Sequence, residues 1–224
     1  MKESDAMIKN KKNGELIIIS GPTGAGKGTI VKEILKIREN TVCPISYTSR
    51  PMRDKEVEGV NYYFVTKEEF ERKIKNNDFL EYALVRGTDY YGTPKKEIQD
   101  LIDKGTDVIL EIEVEGARQV KEIFENAVLI FILAPSIKDL RKRIIARGGN
   151  EPKEQLVNRF KTAYKEINQI PKYNYVVVND NLDEAVKKVN SILTSVKCRV
   201  DRIEELDLNT VEEEIHETLV DLNK

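Results

Sequence analysis

The chain has 224 residues, 40% of them hydrophobic and 34% charged, with a formal net charge of −2. That supplies one large domain, or a core with a small inserted lobe, and no apolar run approaches the roughly 20 residues that a membrane span needs. A single histidine, His216, and two distant cysteines, Cys43 and Cys198, exclude His-centred triads and His- or Cys-based metal sites and suit a reducing cytoplasm.

The polar, Lys- and Asn-rich stretch Met1–Asn13 lacks the apolar centre of a secretory signal and reads as a frayed leader. Leu16-Ile17-Ile18-Ile19 reads as a buried parallel strand ending at Ser20-Gly21. A helical pattern follows, with Ile30, Val31, Ile34, Leu35 and Ile37 apolar. Residues 44–94 hold most of the tyrosines and short alternating runs, as a small, mostly β lobe inserted in the core would. Within them, Thr66 with Glu69 forms a capping box, and Asn76-Asn77 stops the helix it starts. Thr93-Pro94 opens a helix that Gly105 ends. Val108–Leu110, Val128–Leu133 and Tyr175–Val178 read as strands, and helices are expected over about 117–124, 137–147, 153–170 and 182–196. Strands alternating with helices imply an α/β fold with a parallel sheet flanked by helices.

Residues 201–224 hold nine acids and two bases, so the remainder carries a net +5. A mildly basic body suits phosphate ligands but lacks the basic stripe of a nucleic-acid binder, and no membrane partner is expected. In this acidic tail Thr210 and Glu213 form a second capping box, and Leu208, Val211, Ile215, Leu219 and Leu222 make a helical stripe. The expectation is an extra helix packed on the core, with a homodimer contact as the lesser alternative.

Gly21-Pro22-Thr23-Gly24-Ala25-Gly26-Lys27-Gly28-Thr29 matches the phosphate-binding loop G-x-x-x-x-G-K, with a buried strand before it and an amphipathic helix after. The glycines let successive N–H groups point inward, the helix N-terminus adds partial positive charge, and Lys27 adds a full one. Gly28 stands where Ser or Thr commonly ligates Mg²⁺. Few protein groups are therefore expected to touch the metal, with Thr29 acting through water.

Six motifs then follow in order: this loop, Ser46–Arg53, Glu56–Phe64, Phe79–Ala83, Tyr90–Pro94 and Leu110–Ala117. In that order and spacing the chain resembles the guanylate kinase family from about Leu16 to Val196. The resemblance implies a domain over 14–196, with a core (14–43 and 94–196), an acceptor lobe (about 44–93) and a helical lid (about 141–160), followed by an acidic extension over 197–224. It implies transfer of the γ-phosphoryl of ATP to GMP, and to dGMP, with Mg²⁺. Gly21–Thr29 would bind ATP. Arg50, Arg53, Tyr62 and Tyr91 would hold the GMP phosphate, and Ser46, Glu81 and Thr93 the guanine. Thr93 could equally be the N-cap of the helix after it, and Tyr62 and Tyr91 could be core aromatics. Tyr91 rather than neighbouring Tyr90 is chosen because Gly92-Thr93 follows it. Glu113 stands where the family has Asp, near the acceptor phosphate and the metal's water shell. Arg143, Arg147 and Arg159 match the lid arginines that reach the transferring group, and with Lys27 and Arg50 they make up the expected catalytic set. Two rivals remain: a scaffold module that has lost catalysis, against which the intact loop argues, and a kinase for another phosphate acceptor, against which Ser46, Arg50, Arg53, Tyr62 and Glu81 argue.

Overall fold

In the computed structural model, described over residues 8–85, 87–148, 153–206 and 208–222, the strands are β1 (Ile8–Asn10), β2 (Leu16–Ser20), β3 (Thr41–Val42), β4 (Tyr47–Thr48), β5 (Tyr63–Phe64), β6 (Phe79–Val85), β7 (Asp89–Pro94), β8 (Asp107–Glu111), β9 (Val128–Leu133), β10 (Tyr175–Val178) and β11 (Ile203–Leu206). The helices are α1 (Lys27–Ile37), α2 (Lys67–Lys75), α3 (Lys95–Asp103), α4 (Val114–Ile123), α5 (Ile137–Gly148), α6 (Lys153–Ile167), α7 (Leu182–Val196) and α8 (Leu208–Leu222). Residues 13–190 form one compact unit, and the described parts of 1–12 and 191–224 form another.

The first unit is built on a parallel sheet in the order β10-β9-β2-β8-β3. Its central strand, β2, is buried along its whole length and pairs with β8 on one side and β9 on the other. A strand covered on both faces reads as a near-continuous apolar run, which is why Leu16–Ile19 show no alternation; the buried Ser20 hydroxyl at its end donates to the Ile112 carbonyl at 2.7 Å. One apolar cluster draws Leu16, Ile18, Val108, Leu110 and Leu129 from the sheet and Ile98 and Val120 from the helices beside it. The sheet order reverses at β2, so the loop after β2 opens into the crevice where α/β folds bind ligands.

Between β3 and α3 the chain builds a second sheet, β5-β4-β7-β6, with α2 packed on it. The Thr66 hydroxyl accepts from the Glu69 N–H at 3.1 Å and starts α2, while Asn77, at φ 59°, ends it in the left-handed conformation. Phe70 is fully buried, stacked on Phe79 at 4.4 Å and on Tyr90 at 5.1 Å. Burying a ring of this size stabilises by roughly 2–3 kcal/mol relative to exposure. A β-carbon at Gly92 would lie 2.8 Å from Phe70 Cζ, so close ring approach demands glycine there.

Four local expectations are corrected. Helix α4 starts at Val114 rather than near Ala117, with Gly116 inside its first turn. Thr93 lies in β7, and Pro94 is the N-cap of α3. Helix α6 ends at Ile167, and a short 3₁₀ turn, Ile170–Lys172, carries Pro171, which cannot continue an α-helix. Helix α8 begins at Leu208, so Thr210 lies within it rather than capping it; that side chain lies outside the described residues.

In the second unit β1 pairs antiparallel with β11, Ile8 opposite Leu206, so part of the expected leader is a strand; residues 1–7 lie outside the described residues. The stripe on α8 is not buried: Ile215, Leu219 and Leu222 are 54%, 53% and 77% exposed. Among the described residues no helix is long and apolar enough to cross a membrane.

Candidate active site

Gly21, Gly24 and Gly26 have φ of 142°, 89° and 93°, values at which any side chain would be strained. Gly26 caps α1 without a side-chain bond, leaving the first N–H groups of the helix aimed at the loop. Lys27 Nζ donates to the Gly21 carbonyl at 2.5 Å, which curls the lysine across the loop. Buried Asn179, which follows β10, donates from Nδ2 to the Ala25 carbonyl at 2.8 Å, and a β-carbon at Gly26 would lie 2.3 Å from that nitrogen. Arg143, on α5, donates to the Asn179 carbonyl at 3.1 Å. A single asparagine thus ties the loop to Arg143 on α5, and no motif pointed to it.

The departure at Gly28 has a structural reason. A β-carbon there would lie 3.0 and 3.3 Å from the two carboxylate oxygens of Glu111, at the end of β8. A side chain at position 28 would require that carboxylate to give way by a few tenths of an ångström. Glu111 also acts on Tyr62, in the lobe, and on Cys43. Cys43 is half-buried, and that burial pushes its thiol up to about 11 and keeps it unreactive. Gly28 and Thr29 themselves are exposed.

The lobe contributes a buried cation. Arg50 is 7% exposed, and its Nη1 and Nη2 donate to the two carboxylate oxygens of Glu56, each at 2.6 Å. Its Nε donates to the Tyr91 hydroxyl oxygen at 3.0 Å, and its guanidinium lies 5.1 Å from the centre of the Tyr62 ring. The rings of Tyr62 and Tyr91 meet edge to face at 5.6 Å. The hydrogen bonds to Glu56 raise the Arg50 pKa, and those from Arg50 hold the Glu56 carboxyl down to about 2. Burial raises the Tyr62 phenol. Glu56 also accepts from the Arg53 backbone N–H at 3.0 Å, while the Arg53 side chain is exposed. Tyr90 points elsewhere, into the stack on Phe70. Glu56 lies in the motif Glu56–Phe64, six residues after Arg50, and the fold of the loop between them brings the two together.

Next to this cluster lies Glu81, 6% exposed on β6. Thr93 Oγ1, on the paired strand β7, donates to Glu81 Oε1 at 2.5 Å. Burial raises the Glu81 carboxyl to about 7; Thr93 opposes that shift and Glu113 adds to it. Ser46 is half-buried just before β4, its carbonyl accepting from the Tyr63 N–H at 2.9 Å.

Glu113 is the N-cap of α4 and meets Glu166, a buried carboxyl on α6. Burial, and then the hydrogen bond with Glu113, push Glu166 well above the usual carboxylate range, while Lys27 draws it back. The row Glu81, Glu113, Glu166, Lys27 runs electrostatically from the acceptor lobe to the phosphate loop. Helices α5 and α6 pack through Leu140, Ile144 and Ala163. Arg143 faces the loop, and Arg159 is half-buried on α6. The Arg147 side chain and lid residues 149–152 lie outside the described residues.

The comparisons agree with this geometry. The sequence profile described as guanylate kinase matches residues 13–196. The chain is 54% identical to the guanylate kinase of Clostridium tetani over 210 residues, covering 94% of this chain and 100% of that one. It is 53% identical to the guanylate kinase of Clostridium perfringens over 214 residues, covering 96% and 98%. Among solved structures, guanylate kinase from Anaplasma phagocytophilum superposes with a TM-score of 0.72 at 34% identity, covering 88% of this chain and 93% of that one. The chain therefore belongs to the guanylate kinase family.

Proposed function

We propose that the chain moves the γ-phosphoryl group of ATP to GMP, with residues 21–29 holding ATP and the lobe holding GMP. The observation that carries the reading is the buried Glu81 carboxyl, paired across β6 and β7 with Thr93, two residues along the strand from the Tyr91 that bonds Arg50. Guanine offers N1–H and N2–H₂ as adjacent donors, and a carboxylate accepts both. Adenine presents a bare acceptor at N1 and would leave Glu81 unpaired, a mismatch that can discriminate by factors on the order of 10⁴. Nothing in this recognition depends on the sugar 2′-hydroxyl, so dGMP is a substrate as well.

Arg50 and Arg53 receive the acceptor phosphate, with Tyr62 and Tyr91 donating to it. That phosphate has a second pKa near 6, so at neutral pH it is largely a dianion and needs no general base. One of its oxygens forms the new bond to the γ-phosphorus as the bond to the β–γ bridging oxygen breaks, and ADP leaves with the electron pair. Lys27, Arg143, Arg147 and Arg159 neutralise charge on the phosphoryl oxygens. Lid closure excludes water as a competing acceptor.

The oxygen-only donors around the loop, Thr29, Glu111 and Glu113, suit a hard cation, and among the described residues no group of three or more His, Cys, Asp or Glu forms a protein cage. Thr29 and Glu113 would hold Mg²⁺ through water, and the ion adds positive charge to the ATP phosphates when bound. Two free cysteines fit a cytoplasmic protein. A homodimer through the exposed stripe of α8 belongs to the same reading, and sedimentation showing only monomer at micromolar concentrations counts against it.

An ADP-release assay over GMP, dGMP, AMP, CMP and UMP tests the function. GMP and dGMP should lead; turnover led by AMP would sink the specificity, and none at all would favour a scaffold role.

A further inference from the structure

The carboxylate of Glu81 is held from two sides by different parts of the molecule. Thr93, within the lobe, bonds Oε1. The other oxygen, Oε2, rests on the first turn of α4, a core helix, where a β-carbon at Gly116 would lie only 2.5 Å away and 3.1 Å from Glu81 Cδ. Gly116 is not required by backbone conformation: its φ lies outside the left-handed range, and it sits in a helix, where alanine is the better residue. What it provides is space for one carboxylate oxygen.

One turn along the same face of α4, the Gln119 side chain grips the next residue of β6 with two bonds. The Tyr82 N–H donates to Gln119 Oε1 at 3.2 Å, and Gln119 Nε2 donates to the Tyr82 carbonyl at 3.1 Å. Residues three apart on a helix share a face, so Gly116 and Gln119 form one bearing surface. It is a joint between core and lobe, with Glu81 at its centre.

We propose that Gly116 and Gln119 are positioning residues for guanine specificity: Gly116 leaves the seat in which the Glu81 carboxylate faces N1–H and N2–H₂, and Gln119 fixes the strand that carries it. This rests on the reading of Glu81 as the guanine acceptor. In Gly116→Ala the obstructing atoms belong to the flexible end of Glu81, so the carboxylate moves while the helix remains. Gln119→Leu keeps the volume and removes both bonds to Tyr82.

The test compares GMP with inosine monophosphate, which keeps N1–H but lacks the 2-amino group. Gly116→Ala should raise KM for GMP by about tenfold or more and narrow the GMP-to-inosine-monophosphate ratio of kcat/KM, with KM for ATP unchanged. Gln119→Leu should shift both quantities in the same direction by less, and it carries the test if the alanine variant does not fold. A purely structural role would lower activity toward both acceptors equally. Glu81→Ala is measured in parallel. If it narrows the ratio while Gly116→Ala and Gln119→Leu keep the wild-type value, the positioning role is wrong and the Glu81 reading stands. If Glu81→Ala itself leaves the ratio unchanged, the guanine reading fails and this inference with it.

Discussion

The two regions proposed to hold the nucleotide phosphates are made of different material. The loop over residues 21–29 is mostly backbone: three glycines at positive φ, a helix N-terminus and one lysine. The acceptor lobe is mostly side chain: a buried arginine forked onto Glu56, two phenols meeting edge to face, and a carboxyl under burial stress. Backbone N–H groups carry no net charge and can point into an empty pocket at little cost. A buried guanidinium without a counter-charge cannot be tolerated, and Glu56 supplies that charge within the protein. The loop is thus pre-organised by conformation and the lobe by an internal ion pair that an incoming phosphate must share.

If the loop works as a charged cradle, Lys27→Ala should lower kcat by about 10³-fold without unfolding the chain, read by ADP release and by circular dichroism. Gly28→Ser would push a side chain against the Glu111 carboxylate. It should cost up to about 10²-fold in kcat through misplacement at the loop. In the lobe, Glu56→Gln removes the carboxylate counter-charge of Arg50. Thermal melts should show a lower Tm than wild type, and a larger rise on adding GMP, because the phosphate then replaces the missing charge. An equal GMP-induced rise in both proteins would contradict the ion-pair account.

The Glu81 carboxyl gives a smaller, pH-dependent contrast. Burial raises it from 4.5 to about 7, so the group favours the folded state fully below 4.5, and that contribution is lost as pH rises through 7. GMP needs the ionised form, so calorimetric affinity should fall as pH drops through 7. Glu81→Gln should remove this dependence and leave only that of the phosphate itself, near pH 6. Outside both regions, Ile215→Lys on α8 should change stability by no more than about 0.5 kcal/mol, because Ile215 is already 54% exposed. A larger loss in denaturant melts would reveal an apolar partner for that stripe.

The same contrast explains what could be read from residues in order. Leu16–Ile19, the loop glycines and Lys27 lie within one short stretch, and their physics is local: a doubly covered strand favours apolar residues, and the positive φ of the loop favours glycine. The parallel sheet, the inserted lobe and the helix at 67–75 follow from similarly local patterns. Tyr91 and Tyr90 are neighbours of the same type, and only strand register sends one to Arg50 and the other to Phe70. The same holds for Asn179 on the loop, Glu111 over Gly28 and Gly116 under Glu81. Each joins residues from separate segments, so no window of sequence contains both partners in contact. Chain order was enough for the phosphate loop and the layers of the fold, because short-range sterics and burial dictate them. Which charges face each other, and which glycine makes room for which carboxylate, came only from packing distant segments together.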